Sequence, residues 1–357
     1  MKESCMLYGG NGYTGELIAR YASQYNLKPV LAGRRKTALE PLAQKLGLPY
    51  KVVDLNDAPG LEAALMDCAL VLHAAGPFKD TSKQMVEACL LTGTHYLDIN
   101  GDIQVFEMLK KYDAEAKARG IMILPGTGFD VVPTDCVSLW LHKKMPDATD
   151  LKLAFASLPG MISHGTATTI ASKLGEGGAV RRNGKIAHTT LGKHGMWVDF
   201  GMKRLFVMSI PWGDVSTAHF TTGIPDIETY MAVKPSMYRI LKLQFLFNWL
   251  LRTSAVRSYV KRKINKRPAG PTDSERSKGA TMVWGQVTNR KGEKAIARLQ
   301  APDGYTLTAH ASLLIMRKIL EGNFKTGYQT PASAYGEDFI FEIPGTKSIT
   351  GFEPIDR

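Results

Sequence analysis

Residues 5–35 read CMLYGGNGYTGELIARYASQYNLKPVLAGRR. A short apolar run, Cys5 to Tyr8, meets four glycines within seven residues, Gly9, Gly10, Gly12 and Gly15. Glu16 to Tyr25 then carries Leu17, Ile18, Tyr21 and Ala22 at helical spacing, and Lys28 to Ala32 is a second apolar run. Strand, glycine turn, helix and strand therefore follow one another within about 30 residues, the context that gives G-x-G-x-x-G its meaning. Gly10-Asn11-Gly12-Tyr13-Thr14-Gly15 fits that pattern. Gly10 is expected to permit the tight turn off the strand. Gly12 would let a pyrophosphate reach the backbone, and Gly15 would let the helix pack against the strand. The first N–H groups of the helix and its positive dipole end would face the phosphates. Gly10, Asn11, Gly12, Tyr13, Thr14 and Gly15 are thus candidate dinucleotide-binding residues.

The end of the second strand refines the ligand. A dinucleotide site that takes an unphosphorylated ribose places Asp or Glu there, to accept from the 2′-hydroxyl. This chain has Gly33-Arg34-Arg35, and no acidic residue follows until Glu40. A guanidinium suits a 2′-phosphate through charge-assisted bonds and can lie flat on adenine. The pattern predicts NADP(H), with Arg34 and Arg35 as its ligands. The structural alternative is a solvated pair of arginines.

Strand-like runs continue at Tyr50–Val53, Ala69–Ala74, Thr94–Ile99 and Ile121–Leu124, with helices expected over Ser82–Leu91 and Phe106–Arg119. Alternation of this kind predicts an α/β fold with a doubly wound parallel sheet whose strand ends share one edge. Asp54 is read either as a carboxylate near the adenine or as part of the helix start before Asp57. Ala75, Gly76 and Pro77 follow the fourth strand, where small residues let the cofactor cross the sheet.

At 357 residues, with 44% hydrophobic and 22% charged residues, the chain is long enough for two packed cores. Cys5, Cys68, Cys89 and Cys136 are scattered and none belongs to a C-x-x-C pair, which predicts buried free thiols in a reducing compartment and no structural zinc. The start has neither the basic nor the apolar part of a signal peptide, and no run reaches the roughly 20 apolar residues of a membrane span. A cytoplasmic protein is expected. The net charge is +12, yet residues 234–267 alone hold ten Lys and Arg and no Asp or Glu. So local a surplus argues against a nucleic-acid-binding domain.

The second half reads less regularly. Gly126-Thr127-Gly128-Phe129-Asp130 is a glycine-rich turn before a helix over Pro133–Lys143. Asp130 is a candidate catalytic group that orients substrate or nicotinamide; the alternative is a turn or cap carboxylate. Strands are expected at Leu151–Ala156, Ile186–Thr190, Phe206–Ile210 and Thr229–Val233, a hairpin over Thr281–Thr288 and Lys294–Gln300, and helices over Gly165–Leu174 and Thr306–Leu320. Together they predict a second, α+β domain with a mostly antiparallel sheet. His164 could donate a proton near neutral pH, or could be a structural hydrogen-bonder. Histidine spacing suits no metal, and no G-x-S-x-G occurs. Hydride transfer needs neither, because the cofactor carries that chemistry.

Ile240–Leu251 (ILKLQFLFNWLL) is apolar and aromatic with basic flanks. It reads as a segment lying in a membrane interface, or else as a buried helix followed by a basic helix and a mobile linker over Lys266–Gly279.

GNGYTG, LAGRR, HAAGPF, THYLDINGD and PGTGFDVVPTD, taken together, resemble the saccharopine dehydrogenase-like oxidoreductases, in the branch with trans-acting enoyl reductases. Gly165-Thr166-Ala167, Gly270-Pro271 before Arg276, Tyr305–Ala309 and Thr330-Pro331-Ala332 extend the likeness. The resemblance implies an NADP-binding Rossmann domain over 1–130, an α+β substrate and dimerisation domain over 131–304, and a C-terminal segment, 305–357, returning to the first. It implies Gly10, Gly12 and Gly15 at the phosphates, Arg34 and Arg35 at the adenosine phosphate, and Ala75, Gly76 and Pro77 near the nicotinamide half. It implies a cleft between the domains, lined by Gly126–Asp130, and frequent homodimers. The arginines with which a saccharopine dehydrogenase grips two amino-acid ends do not map onto this chain. The expectation is an NADP(H)-dependent oxidoreductase, a reductase acting on a C=C, C=N or C=O bond of a lipid-like or acyl-carrier-bound small molecule. The alternatives are a non-catalytic NADP-binding protein at a membrane surface and an opine-type amino-acid dehydrogenase.

Overall fold

The computed structural model describes residues 4–158, 163, 165, 167, 168, 176–243, 248–251, 253–264 and 268–351. The chain divides into two compact units, Met1–Val132 with Tyr305–Pro344, and Pro133–Gly304 with Gly345–Arg357.

The first unit is built on β1 (Ser4–Tyr8), β2 (Val30–Gly33), β3 (Tyr50–Val52), β4 (Cys68–His73), β5 (His95–Asp98), β6 (Met122–Leu124) and β15 (Gly327–Tyr328). They form a seven-stranded sheet in the order β15-β6-β5-β4-β1-β2-β3, and every pairing is parallel. Strand order reverses between β1 and β4, the switch point at which doubly wound sheets bind ligands. Cys5 to Tyr8 and Leu70 to His73 are buried, as expected of strands covered on both faces. The register sets Tyr8 beside Ala32 on one side and His73 on the other, with Asp98 beside His73. One row of residues thus spans the carboxyl ends of four strands.

Two helices differ from expectation. The one read as Ser82–Leu91 begins at Phe78 and runs to Thr92, because Pro77 can precede a helix without losing a needed N–H. The one read as Phe106–Arg119 is two, Ile103–Lys110 and Asp113–Ala118. Asp113 opens the second and accepts from the Tyr328 N–H of β15 at 2.9 Å. The helix Gly304–Leu320 carries ten buried residues, among them Leu307, Leu313, Ile315 and Met316.

The second unit holds a mixed, mostly antiparallel sheet of nine strands. These are β7 (Ala148–Leu158), β8 (Gly178–Arg182), β9 (Lys185–Thr189), β10 (Gly195–Asp199), β11 (Arg204–Ile210), β12 (Asp226–Ala232), β13 (Ala280–Asn289), β14 (Lys294–Pro302) and β16 (Lys347–Thr350). The main path is β10-β11-β12-β7-β13-β14-β16; β8 pairs with β12 and β9 with β8. Among the described strands of this sheet, only β12 and β7 run parallel. The expected hairpin is β13–β14. The helix Val132–Lys144 packs on one face, where Gly285 leaves room: a Cβ there would lie 2.5 Å from Val137 and 2.7 Å from Leu141. On the opposite face Ala154, Val198, Phe200, Tyr230 and Trp284 form a core.

The C-terminal segment corrects the sequence reading. Only Tyr305–Pro344 belongs to the first unit. β16 instead pairs antiparallel with β14, aligning Arg298 with Thr350, and the Arg298 guanidinium donates to Thr350 Oγ1 at 2.8 Å. The open edge of β14 gives this tail backbone partners that a loose end would lack. The linker read as mobile over 266–279 contains a short helix, Asp273–Ser277, with a reciprocal capping box between Thr272 and Glu275. The helix expected over 165–174 lies almost wholly outside the described residues.

Candidate functional site

The loop after β1 is organised by its glycines, but with a shift. The positive φ, 86°, belongs to Gly9, not Gly10. A Cβ on Gly9 would lie 2.8 Å from the Ala74 carbonyl carbon, and its N–H donates to Ala32 O at 2.7 Å. Gly9 therefore makes the turn and touches the end of β4, while Gly10 packs on Leu31. Gly12 is extended (φ −81°, ψ 162°) and exposed; its carbonyl accepts from Glu16 N at 2.7 Å. No side chain caps the helix Tyr13–Tyr21 that it opens. A Cβ on Gly15 would overlap the Gly9 carbonyl oxygen, so only glycine lets this helix sit on the turn. A bare, extended glycine before an uncapped helix N-terminus fits a pyrophosphate. Tyr13 meets Tyr305 edge-on, with ring centroids 5.1 Å apart.

Gly33 ends β2, and Asn11 Oδ1 lies 3.2 Å from where a Cβ on it would be. Arg34 and Arg35 follow, both exposed. Glu40, the nearest downstream acid, is engaged elsewhere: its carboxylate accepts from the Tyr50 hydroxyl at 2.6 Å and lies 3.8 Å from Lys36 Nζ. It is thus bound to its own helix and to β3, and among the described residues no ion pair holds the two guanidinium groups at the strand end. Asp54 accepts from the Asn56 N–H and side-chain amide, each at 3.0 Å, while Asp57 is the helix cap, accepting from Gly60 N. Tyr8 sits between these charges. Burial pushes its hydroxyl up to about 12, with Arg34 opposing and Asp54 adding to the shift.

Ala75, Gly76 and Pro77 form the loop beyond β4, and the Gly76–Pro77 peptide is cis. Thr81 holds the loop: its hydroxyl donates to Ala75 O at 3.0 Å and lies 2.9 Å from His73 Nε2. With that hydroxyl proton committed, His73 donates from Nε2 and is neutral; burial alone lowers its pKa to about 3.

Asp98, at the end of β5, was not singled out from the sequence. It is fully buried and accepts from the Tyr96 hydroxyl at 2.7 Å, from Asn100 N at 3.0 Å, from Asn100 Nδ2 at 2.7 Å and from Gly126 N at 2.9 Å. Burial raises its pKa against these bonds. Its carbonyl accepts from Thr127 N and Oγ1. Thr127 Oγ1 is 2.9 Å from Ser312 Oγ, and Phe129 N donates to Thr308 Oγ1 at 2.9 Å. Gly128 leaves the space Thr308 occupies. The segments THYLDINGD, PGTGFD and YTLTA, far apart in sequence, are thereby tied into one knot. Asp130 lies in this loop, half-buried, with Oδ2 2.5 Å from where a Cβ on Gly101 would be. His164, the other catalytic candidate, lies outside the described residues. No group of three His, Cys, Asp or Glu side chains able to hold a metal occurs among the described residues.

Comparison with known proteins agrees with this geometry. Residues 6–124 match the saccharopine dehydrogenase NADP binding domain. A saccharopine dehydrogenase-like oxidoreductase of Mus musculus is 26% identical over 202 residues, covering 50% of this chain and 47% of its own. A trans-acting enoyl reductase of Mycobacterium leprae is 30% identical over 148 residues, 39% of this chain and 35% of its own. The chain therefore aligns with half or less of the length of these relatives. Among solved structures, apo histidine-tagged saccharopine dehydrogenase (L-Glu forming) from Saccharomyces cerevisiae covers 98% of this chain and 100% of its own, with a TM-score of 0.67 and 13% identity, a likeness of fold. The glycine turn and the arginine pair both lie within this 119-residue stretch, residues 6–124, which is similar to the NADP-binding domain of the saccharopine dehydrogenase family.

Proposed function

We propose that this protein is an NADPH-dependent reductase that delivers hydride to a C=C, C=N or C=O bond of an apolar or acyl-type substrate. The observation that carries the reading is the pairing of an uncapped glycine-turn helix with Arg34 and Arg35, while Glu40 is held by Tyr50 and Lys36. Bound NADPH would supply the hydride. The chain's own residues would do the holding. Gly12 and the helix N-terminus take the pyrophosphate, Arg34 and Arg35 take the 2′-phosphate, and Ala75, Gly76 and Pro77 leave room for the nicotinamide half. Asp130, fixed against Gly101 in a loop tied to Asp98 and Thr308, would orient a polar group of the substrate.

Similarity to a trans-acting enoyl reductase supports a C=C bond and an acyl substrate. The likeness to yeast saccharopine dehydrogenase supports the fold alone. A homodimer is the proposed assembly. The test follows NADPH absorbance against a panel of enoyl thioesters, cyclic imines and ketones. Substrate-dependent oxidation by the wild type, lost in Asp130→Ala with NADPH affinity kept, supports the reading. Tight NADPH binding with no turnover of any panel member would leave a non-catalytic NADP-binding protein. Turnover confined to amino-acid imines would favour opine-type chemistry.

A further inference from the structure

Among the described residues, most large apolar side chains that are half or more exposed lie in the second unit, whereas Val52, Met66 and Leu91 are scattered over the first. Trp197, Met202, Met237, Ile240, Leu243 and Trp249 all lie in the second unit, and Ile240 and Trp249 reach 66% and 71% exposure. They are held there. The helix Pro235–Lys242 has no buried residue, yet Tyr238 docks it on the sheet edge, its ring tilted against Phe206 with centroids 4.9 Å apart. Gly195 in β10 makes the room, since a Cβ there would lie 2.7 Å from the Tyr238 ring. Lys242 Nζ adds a bond to Lys193 O at 2.9 Å. With Tyr238 turned inward, Met237 and Ile240 point outward one helical turn apart. Phe206 also packs on Trp197, 5.6 Å away, and Arg204 lies over that indole at 5.9 Å. Edge strand β10, its turn with Met202, and the helix thus present one apolar and basic rim.

We propose that this rim docks on the headgroup region of an anionic phospholipid membrane. Charge selects the occupant. Residues 234–267 hold ten Lys and Arg and no acid, so a second copy of the chain, offering the same face, would meet like charge with like. An anionic surface is complementary. The exposed Trp197 indole and the aliphatic pair Met237 and Ile240 match the headgroup level of a bilayer, where Trp concentrates and amphipathic helices lie. No described helix is long and apolar enough to cross a membrane, consistent with contact at the surface. The inference stands apart from the reductase reading.

The test is flotation of the full chain with vesicles of phosphatidylcholine alone and of phosphatidylcholine with phosphatidylserine in equal amounts. The protein floats with the second and not the first, and added salt releases it. Lys234→Glu with Arg239→Glu lowers the partition more than about tenfold, as each basic group near such a surface contributes about a factor of five. Met237→Ser with Ile240→Ser lowers it at least about tenfold. Both variants keep the wild-type indole emission and thermal unfolding midpoint, which shows the second unit folded. Absence of flotation with phosphatidylserine vesicles overturns the proposal, as does flotation of both variants at the wild-type level. Conversion of a dimer to monomer by the Met237/Ile240 variant, with flotation unchanged, assigns the rim to a second copy instead.

Discussion

On the proposed reading, Arg34 and Arg35 carry the cofactor preference. Two charge-assisted contacts to a 2′-phosphate contribute about 3 kcal/mol or more, so Arg34→Asp with Arg35→Ala is expected to weaken NADPH by about a hundredfold or more. NADH, lacking that phosphate, should lose far less. Calorimetry with both coenzymes decides it, and an equal loss for the two removes the phosphate role. His73 makes a separate prediction. Unfolded, it binds a proton below its ordinary value of 6.5; folded, it stays neutral down to about 3. Its contribution to stability is therefore complete above 6.5 and declines as pH falls toward 3. At about pH 5 the loss is about 2 kcal/mol. Urea unfolding at neutral and acid pH should show this slope in the wild type and a flatter one in His73→Gln. Sequence flagged the arginines because their charge stands where an acid is usual. It was silent on His73 and Asp98, whose roles come from burial and from partners on other strands.

At the scale of elements, two contacts hold the site loops. Gly15→Ala drives a methyl into the Gly9 carbonyl oxygen, which is backbone and has little room to yield. The helix Tyr13–Tyr21 must shift, at a cost of about 1–3 kcal/mol and with weaker NADPH binding, checked by thermal unfolding and calorimetry. Thr308→Val removes the acceptor of the Phe129 N–H, while valine matches threonine in shape. The expected destabilisation is about 1–3 kcal/mol by urea unfolding, with Thr308→Ser restoring most of it. An unchanged midpoint would show that the loop does not depend on the bond. Strand and helix alternation over the first half was legible because parallel strands are continuous apolar runs, as in Leu70–Leu72. β8, β10 and β16 were not: β8 buries Arg181 along with Ala179 and Val180, β10 turns Trp197 outward, and β16 is at most half-buried, so apolar periodicity does not mark them. Tyr112, which parts two helices, is likewise unmarked by glycine or proline.

For the whole molecule, all five tryptophans, Trp140, Trp197, Trp212, Trp249 and Trp284, fall in the second unit, whereas the nucleotide loop is in the first. Amide exchange can therefore report on one unit and indole emission on the other. NADPH at a hundred times its dissociation constant adds about 2.7 kcal/mol to whatever binds it. That protection should appear in the amides of β1 and β4. Gains confined to β7 and β13 would move the cofactor out of the first unit.

The sequence by itself determined the nucleotide-binding half: strand periods, the glycine turn and the arginine pair act through neighbours a few residues apart, and such local physics is written in order along the chain. Tertiary structure alone decided the rest. Gly9 rather than Gly10 turns the loop because Ala74 and Ala75 crowd it from another strand. Asp98 gathers Tyr96, Asn100 and Gly126, Thr308 reaches Phe129 from 179 residues away, and β16 finds the free edge of β14. Each of these depends on which surfaces the packed chain brings within hydrogen-bond reach, and no local pattern encodes that.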